Sequence, residues 1–148
     1  MNLSPSGLLS VTHLRYTGFW LLIGFSLIAG ISFMSLISIP APVKQFLLND
    51  KLMHVAVYGC LMGWFAQIFR HDLTRLMLGI LFVSMGVLIE YIQGMVPHRQ
   101  FEVLDMIANT SGVVLAWALA YTWMGGLLEW FEKSFLGFFA PAKAVQGS

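Results

Sequence analysis

Several polar side chains of this chain fall within or beside apolar stretches, and their types are those of proton-transfer and anion-binding chemistry. Asp50, Lys51, His54 and Tyr58 stand together, Glu90 and Gln93 follow, then His98, Arg99 and Glu102, and Asp105 with Asn109 closes the set. A histidine oriented by a carboxylate can act as a general base, which makes His54 with Glu90 or Asp105 a candidate pair. Asn109 and Gln93 could stabilise developing negative charge. Lys51 and Arg99 are counter-charges for a phosphate or carboxylate. Nothing resembling an activated nucleophile accompanies the base.

Each residue also has a plainer reading. Lys51 and Arg99 can be interface anchors that snorkel to water, and Tyr58 can be an interfacial aromatic. His54 can simply bond a neighbouring carboxylate. Asp105 can complement the dipole at a helix start. Asn109 lies a turn deeper, where its alternative is an interhelical hydrogen bond worth about 0.6 kcal/mol. Glu90 has the weakest plain reading, since it lies far from any helix N-terminus. An acidic side chain at mid-membrane costs about 2.5–3.5 kcal/mol, less toward an interface, and is retained where it is paired or functional. Candidate catalytic groups are therefore Glu90, His54 and Asp105. The candidate ligand-binding set is Lys51, His54, Tyr58, Glu90, Gln93, Arg99, Asp105 and Asn109.

No Gly-rich phosphate loop, no histidine pair at metal spacing and no Gly-x-Ser-x-Gly occurs, so neither a metal nor a cofactor is expected. Cys60 is the sole cysteine and falls in an apolar segment, where it reads as a small buried hydrophobe. His13, His71 and Asp72 lie in polar flanks and read as solvated.

The elements that must position these groups are membrane helices. Of 148 residues 58% are hydrophobic and 10% charged, with mean hydropathy +0.79. A soluble domain carries roughly 25% charged residues to face water, so lipid must cover this surface. A net charge of +1 offers no basic stripe for nucleic acid. A bilayer core needs about 20 apolar residues of helix, and four stretches qualify, at about 16–37, 52–69, 76–96 and 105–124. Pro40 and Pro42, the run Arg70-His71-Asp72, Pro97 and Gly125-Gly126 punctuate them. The first is far longer than the apolar core of a signal peptide and reads as a retained helix. The predicted fold is an all-α membrane protein, a four-helix transmembrane bundle over 16–126 after a cytoplasmic segment, 1–15. In the tail, 127–148, Leu127, Leu128, Phe131, Phe135, Phe138 and Phe139 share one helical side, with Glu129, Glu132 and Lys133 on the other. This predicts an interfacial amphipathic helix and a frayed end from Ala142.

Arg15, Arg70, Arg75, Lys133 and Lys143 fall on one side of such a bundle, against Lys44, Lys51 and Arg99 on the other. The excess predicts both termini in the cytoplasm. The polar groups of the candidate site all belong to helix ends on the outer side, and the opposite half is expected to carry no comparable set. At about 100° per residue, His54 shares a face with Tyr58, Glu90 and Gln93 with Gly79 and Gly86, and Asp105 and Asn109 with Gly112 and Ala116. Gly59 and Gly63 form a further small-residue pair. Small residues mark faces where membrane helices approach closely, so the polar groups are expected to point into the bundle. The expected arrangement is an outward-opening pocket rimmed by Arg99 and Lys51 and floored by Glu90, His54 and Asp105.

In these blocks the chain resembles the VanZ-like family. The resemblance lies in Asp50-Lys51-x-x-His54-x-x-x-Tyr58, then Glu90-x-x-Gln93, then Arg99 followed by Asp105-x-x-x-Asn109-x-x-Gly112. It spans about Asp50 to Ala116, leaving out the first helix, the tail and His98. It implies a multi-pass protein of the bacterial cytoplasmic membrane. The family's named member is associated with resistance to the glycopeptide teicoplanin, and the family brings no established reaction.

Three readings follow. The pocket could hold the anionic head group of an envelope lipid or lipid-linked cell-wall precursor. The His/carboxylate pair could hydrolyse or transfer a group on a lipid substrate. Or the polar network could fix helix packing in a structural subunit that serves a membrane protein partner.

Overall fold

The computed structural model describes residues 14–37, 50–97 and 99–136, and the regular elements among them are helices and helical turns. Helix α1 is Thr17–Leu36, α2 is Asp50–Ile68, α3 is Asp72–Gln93 and α4 is Val103–Leu119. A 3-10 turn, Trp123–Gly126, leads into the short α5, Leu127–Phe131, and a π-helical turn, Glu132–Leu136. His13, Lys44, His98, Phe138, Phe139, Lys143 and the end from Ala142 lie outside the described residues.

The four long helices alternate in direction, so the bundle has two ends. At one end α1 stops and α2 begins, and α3 stops before α4 begins. We call this the open end, and its opposite the closed end. Helix α2 is central. Its Tyr58, Leu61, Met62, Phe65 and Ala66 form the core with Phe82 of α3 and with Val113 and Ala120. The outer faces remain apolar, with Leu22, Phe25, Phe33, Met77 and Leu88 all exposed. An apolar surface on helices that meet closely at glycines is the pattern of helices solvated by lipid. Cys60, expected to be buried, is exposed.

Helices α1 and α3 are long and apolar enough to cross a membrane. A third crossing is reached if α4 and the C-terminal segment Trp123–Phe135, bent by 81° from it, count together. Helix α2 carries Asp50, Lys51 and His54 in its first turns, and α4 alone has 17 residues.

Two boundaries differ from expectation for visible reasons. Helix α3 starts at Asp72 because the polar run before it is a cap, with Leu73 N–H donating to His71 Nδ1 at 3.2 Å. Helix α4 ends at Leu119, short of 124, because the chain reverses. There Met124 N–H donates to Thr122 Oγ1 at 3.3 Å. A Cβ on Gly125 would run into the Ala120 carbonyl, so only glycine allows that reversal.

The tail also presents a different face. Leu128 and Glu132 turn inward and are buried, whereas Phe131 and Phe135 point outward. Glu132 was expected on the polar side with Glu129 and Lys133. It is buried because its carboxylate caps the start of α1, accepting from Arg15 N–H at 2.6 Å, Tyr16 N–H at 3.0 Å and Trp20 Nε1–H at 2.6 Å.

Candidate functional site

The crossing of α2 and α4 sets the site. A Cβ on Gly112 would collide with the Val55 carbonyl, and one on Gly59 would sit 3.4 Å from the Gly112 oxygen. Backbones this close bring the first turns of both helices face to face. His54 Nδ1 lies 3.0 Å from Asn109 Oδ1, and Nε2 lies 3.5 Å from Asp105 Oδ2. The Lys51 ammonium donates to Asp105 Oδ1 and, at 2.5 Å, to Glu102 Oε2. Lys51 precedes the apolar stretch. Partial burial disfavours its charge, but the hydrogen bonds and charges of Asp105 and Glu102 outweigh this and hold it above the ordinary lysine range.

Helix α3 closes in from the side at Gly86, where a Cβ would come within 3.2 Å of both Asn109 and Tyr58. One turn on, Glu90 is 1% exposed, and its Oε1 accepts the Glu102 N–H at 2.7 Å. That bond ties the loop before α4 to the end of α3. It also satisfies a backbone donor at a helix start, where no intrahelical partner exists. Tyr58 is buried beside it with no hydrogen bond to its hydroxyl.

The end of α1 is held by two side chains from across the bundle. Gln93 Nε2 donates to Ser35 O at 2.7 Å, and an Arg99 terminal nitrogen donates to Ile37 O at 2.6 Å. Carbonyls at a helix C-terminus lack partners and favour cationic donors. Arg99 Nε is buried without a partner.

Between these groups lies a cavity of about 490 Å³, lined by Asp50, His54, Gln93, Arg99, Gln100, Glu102 and Asp105. Every lining residue is polar. Of the residues singled out from the sequence, His54, Gln93, Arg99 and Asp105 line it. Lys51 is bonded to two acidic residues of this group, while Tyr58, Glu90 and Asn109 are buried in the surrounding wall. Glu90 is not hydrogen-bonded to His54, so the pair available for proton transfer is His54 with Asp105.

Asp50, Gln100 and Glu102 line the cavity although the ligand-binding set omitted them. Asp50 carried a signal, standing one helical turn before His54. Glu102 carried one in its position just before α4. Gln100 carried none. Asp50, Glu102 and Asp105 make the lining more acidic than basic, and Asp50, His54 and Asp105 could together hold a cation.

The expectation that the opposite half has no comparable set is corrected. The closed end holds Trp20, Gln67, Arg75 and Glu132. Arg75 is buried and donates to Ala66 O at 2.7 Å and Phe69 O at 3.0 Å, capping the end of α2. Gln67 Oε1 accepts from Leu128 N–H at 2.6 Å. Arg75 and Glu132 were read as loop and surface charges and Gln67 was passed over, because their partners include backbone atoms that no residue type marks.

A polar cavity at one end of a helical bundle with apolar outer faces is the arrangement of a membrane protein. Residues 8–125 match the VanZ/LLP1 family, and the chain belongs to it. The match reaches further than Asp50–Ala116 and takes in α1. A protein of Schizosaccharomyces pombe described as uncharacterized is 30% identical over 79 residues, covering 51% of this chain and 49% of that protein. The chain thus spans about half the length of this curated relative. No solved structure matches.

Proposed function

We propose that the protein crosses a bacterial cytoplasmic membrane through α1–α4, termini inside, and that its open end holds the phosphate-bearing head group of a membrane lipid or lipid-linked precursor. The observation that carries this reading is the wholly polar lining of the cavity on a bundle whose outer faces are apolar. About 490 Å³ falls within the roughly 300–1,000 Å³ of small-ligand sites, so a head group fits while its acyl chains stay against the apolar exterior. Arg99 is the guanidinium among the lining residues. Lys51 is already engaged by Glu102 and Asp105, so its part is to hold those carboxylates in place. The bend after α4 would lay α5 along the membrane surface, with Trp130, Phe131 and Phe135 outward.

The similarity to a yeast protein favours a head group found in membranes generally over one restricted to bacterial cell walls. A link to teicoplanin resistance would follow only if the occupant is a cell-wall precursor.

Native mass spectrometry of protein purified in mild detergent tests the reading. Wild type is expected to retain phosphate-bearing lipid. Gln100→Trp, which places an indole at the cavity from an exposed loop position, should abolish retention without lowering the melting temperature. Undiminished retention by Gln100→Trp would place the lipid elsewhere and sink the proposal.

A further inference from the structure

The wall of the cavity contains an arrangement that hydrogen bonding alone leaves unsatisfied. Asn109 Oδ1 is an acceptor 3.0 Å from His54 Nδ1, so in the neutral imidazole the proton resides on Nδ1 and Nε2 carries a lone pair. That lone pair faces Asp105 Oδ2 at 3.5 Å. Two acceptors therefore confront each other beside a buried carboxylate, and each is fixed from behind. Asn109 holds the ring, and Lys51 holds the other Asp105 oxygen. Asp50, one turn before His54 on the same helix, supplies a third donor, and the three ligating atoms lie within 4.8 Å of one another.

From this geometry we infer that Asp50, His54 and Asp105 bind a divalent transition-metal ion at the cavity wall. Metal–ligand distances of about 2.0–2.2 Å for imidazole nitrogen and carboxylate oxygen separate two ligands of a tetrahedral site by roughly 3.3–3.6 Å. The His54–Asp105 separation of 3.5 Å lies in that range. Imidazole with carboxylates suits zinc or manganese, and soft metals would want thiolate. Asn109 and Lys51 are then outer partners that orient the ligands, as metal-bound histidines and carboxylates require. Three protein ligands leave a coordination position open toward the cavity, the pattern of sites that meet a further ligand. The ion would also offset the acidic excess of Asp50, Glu102 and Asp105. The ligands come from two helices, with Asp105 far along the chain from the others, so no metal spacing shows in the sequence.

The inference does not depend on the head-group reading, because metal binding is measured with no lipid added. Purified full-length protein is stripped with EDTA and titrated with Mn²⁺ by electron paramagnetic resonance, and separately dialysed against Zn²⁺ with metal analysis. Wild type should bind one equivalent. Asp50→Asn, at an exposed position that cannot upset folding through burial, should weaken binding by about tenfold or more. His54→Gln should abolish it. Asp72→Asn, at the closed end, should bind as wild type does. Absence of binding by wild type, or unchanged binding by both Asp50→Asn and His54→Gln, would overturn the inference.

Discussion

The two ends of the bundle hold similar side chains, and the buried groups of the closed end bond chiefly backbone where one cluster at the open end bonds side chain to side chain. At the closed end, Glu132 spends its carboxylate on two backbone N–H groups and an indole, Arg75 on two carbonyls and Gln67 on a backbone N–H. At the open end, Lys51, His54, Glu102, Asp105 and Asn109 bond mainly to one another around a cavity. The difference is what a polar residue in an apolar bundle is for. A side chain that caps helix backbone removes a cost the fold would otherwise carry. A side chain whose partners are other side chains could be exchanged with those partners for apolar groups at little cost in stability, and this is the ground on which a ligand is proposed at the cavity.

The comparison predicts unequal consequences, the largest at the closed end. Glu132→Ala leaves the Trp20 indole N–H and two backbone donors without an acceptor. Each buried unsatisfied group costs about 1–3 kcal/mol, so a loss of about 3 kcal/mol or more is expected, read as a lowered unfolding midpoint of the purified protein. Glu132→Gln, which keeps one carboxamide oxygen, should fall between. Next comes Arg75→Met, which removes the cap from α2 and the cation over the Tyr121 ring, 5.2 Å away. About 2 kcal/mol is expected, since hydrogen bonds to charged groups contribute about 1.5–3 kcal/mol. If both variants unfold with wild type, the closed end is not held by its caps and the contrast collapses.

How much of this was legible in the sequence follows the same division. The apolar runs and their breaks located four long helices, of which α1 and α3 are by themselves long and apolar enough to cross a membrane. Gly59, Gly86 and Gly112 marked the contact faces, because a missing Cβ is visible in a sequence. His54, Asp105 and Asn109 were legible because side chains at helical spacing on glycine-bearing faces must meet. The roles of Glu132 and Arg75 were not legible. Their partners are backbone atoms of α1 and α2, and any residue type supplies those atoms, so no pattern announces them. Glu90 was the most conspicuous residue in the sequence, yet it accepts a backbone N–H, from Glu102. It caps in the closed-end manner beneath an open-end cavity.

Arg99 gives the smallest expected effect on stability and the sharpest test of the comparison, because it stands at the open end and also bonds backbone. One terminal nitrogen donates to Ile37 O at 2.6 Å, as a closed-end residue would, while Nε is unpartnered and the side chain lines the cavity. A guanidinium can do both things at once because its donors form a rigid planar fork. An ammonium has three donors, but they radiate from one nitrogen and lack that planar spread, so it cannot reproduce both contacts in the same geometry. Arg99→Lys should therefore keep the contact to α1 and lower stability by no more than about 1 kcal/mol, the net worth of a typical hydrogen bond. Retention of phosphate-bearing lipid should nonetheless fall nearly as far as in Arg99→Ala, since lysine lacks the planar, bidentate fork. The unfolding midpoint and native mass spectra of the two variants, measured side by side, separate these effects. A lower midpoint with wild-type lipid retention in Arg99→Lys would make Arg99 one more backbone cap. The distinction between the ends would then rest on Asp50, His54 and Asp105 alone, and the head group would have to be held through them.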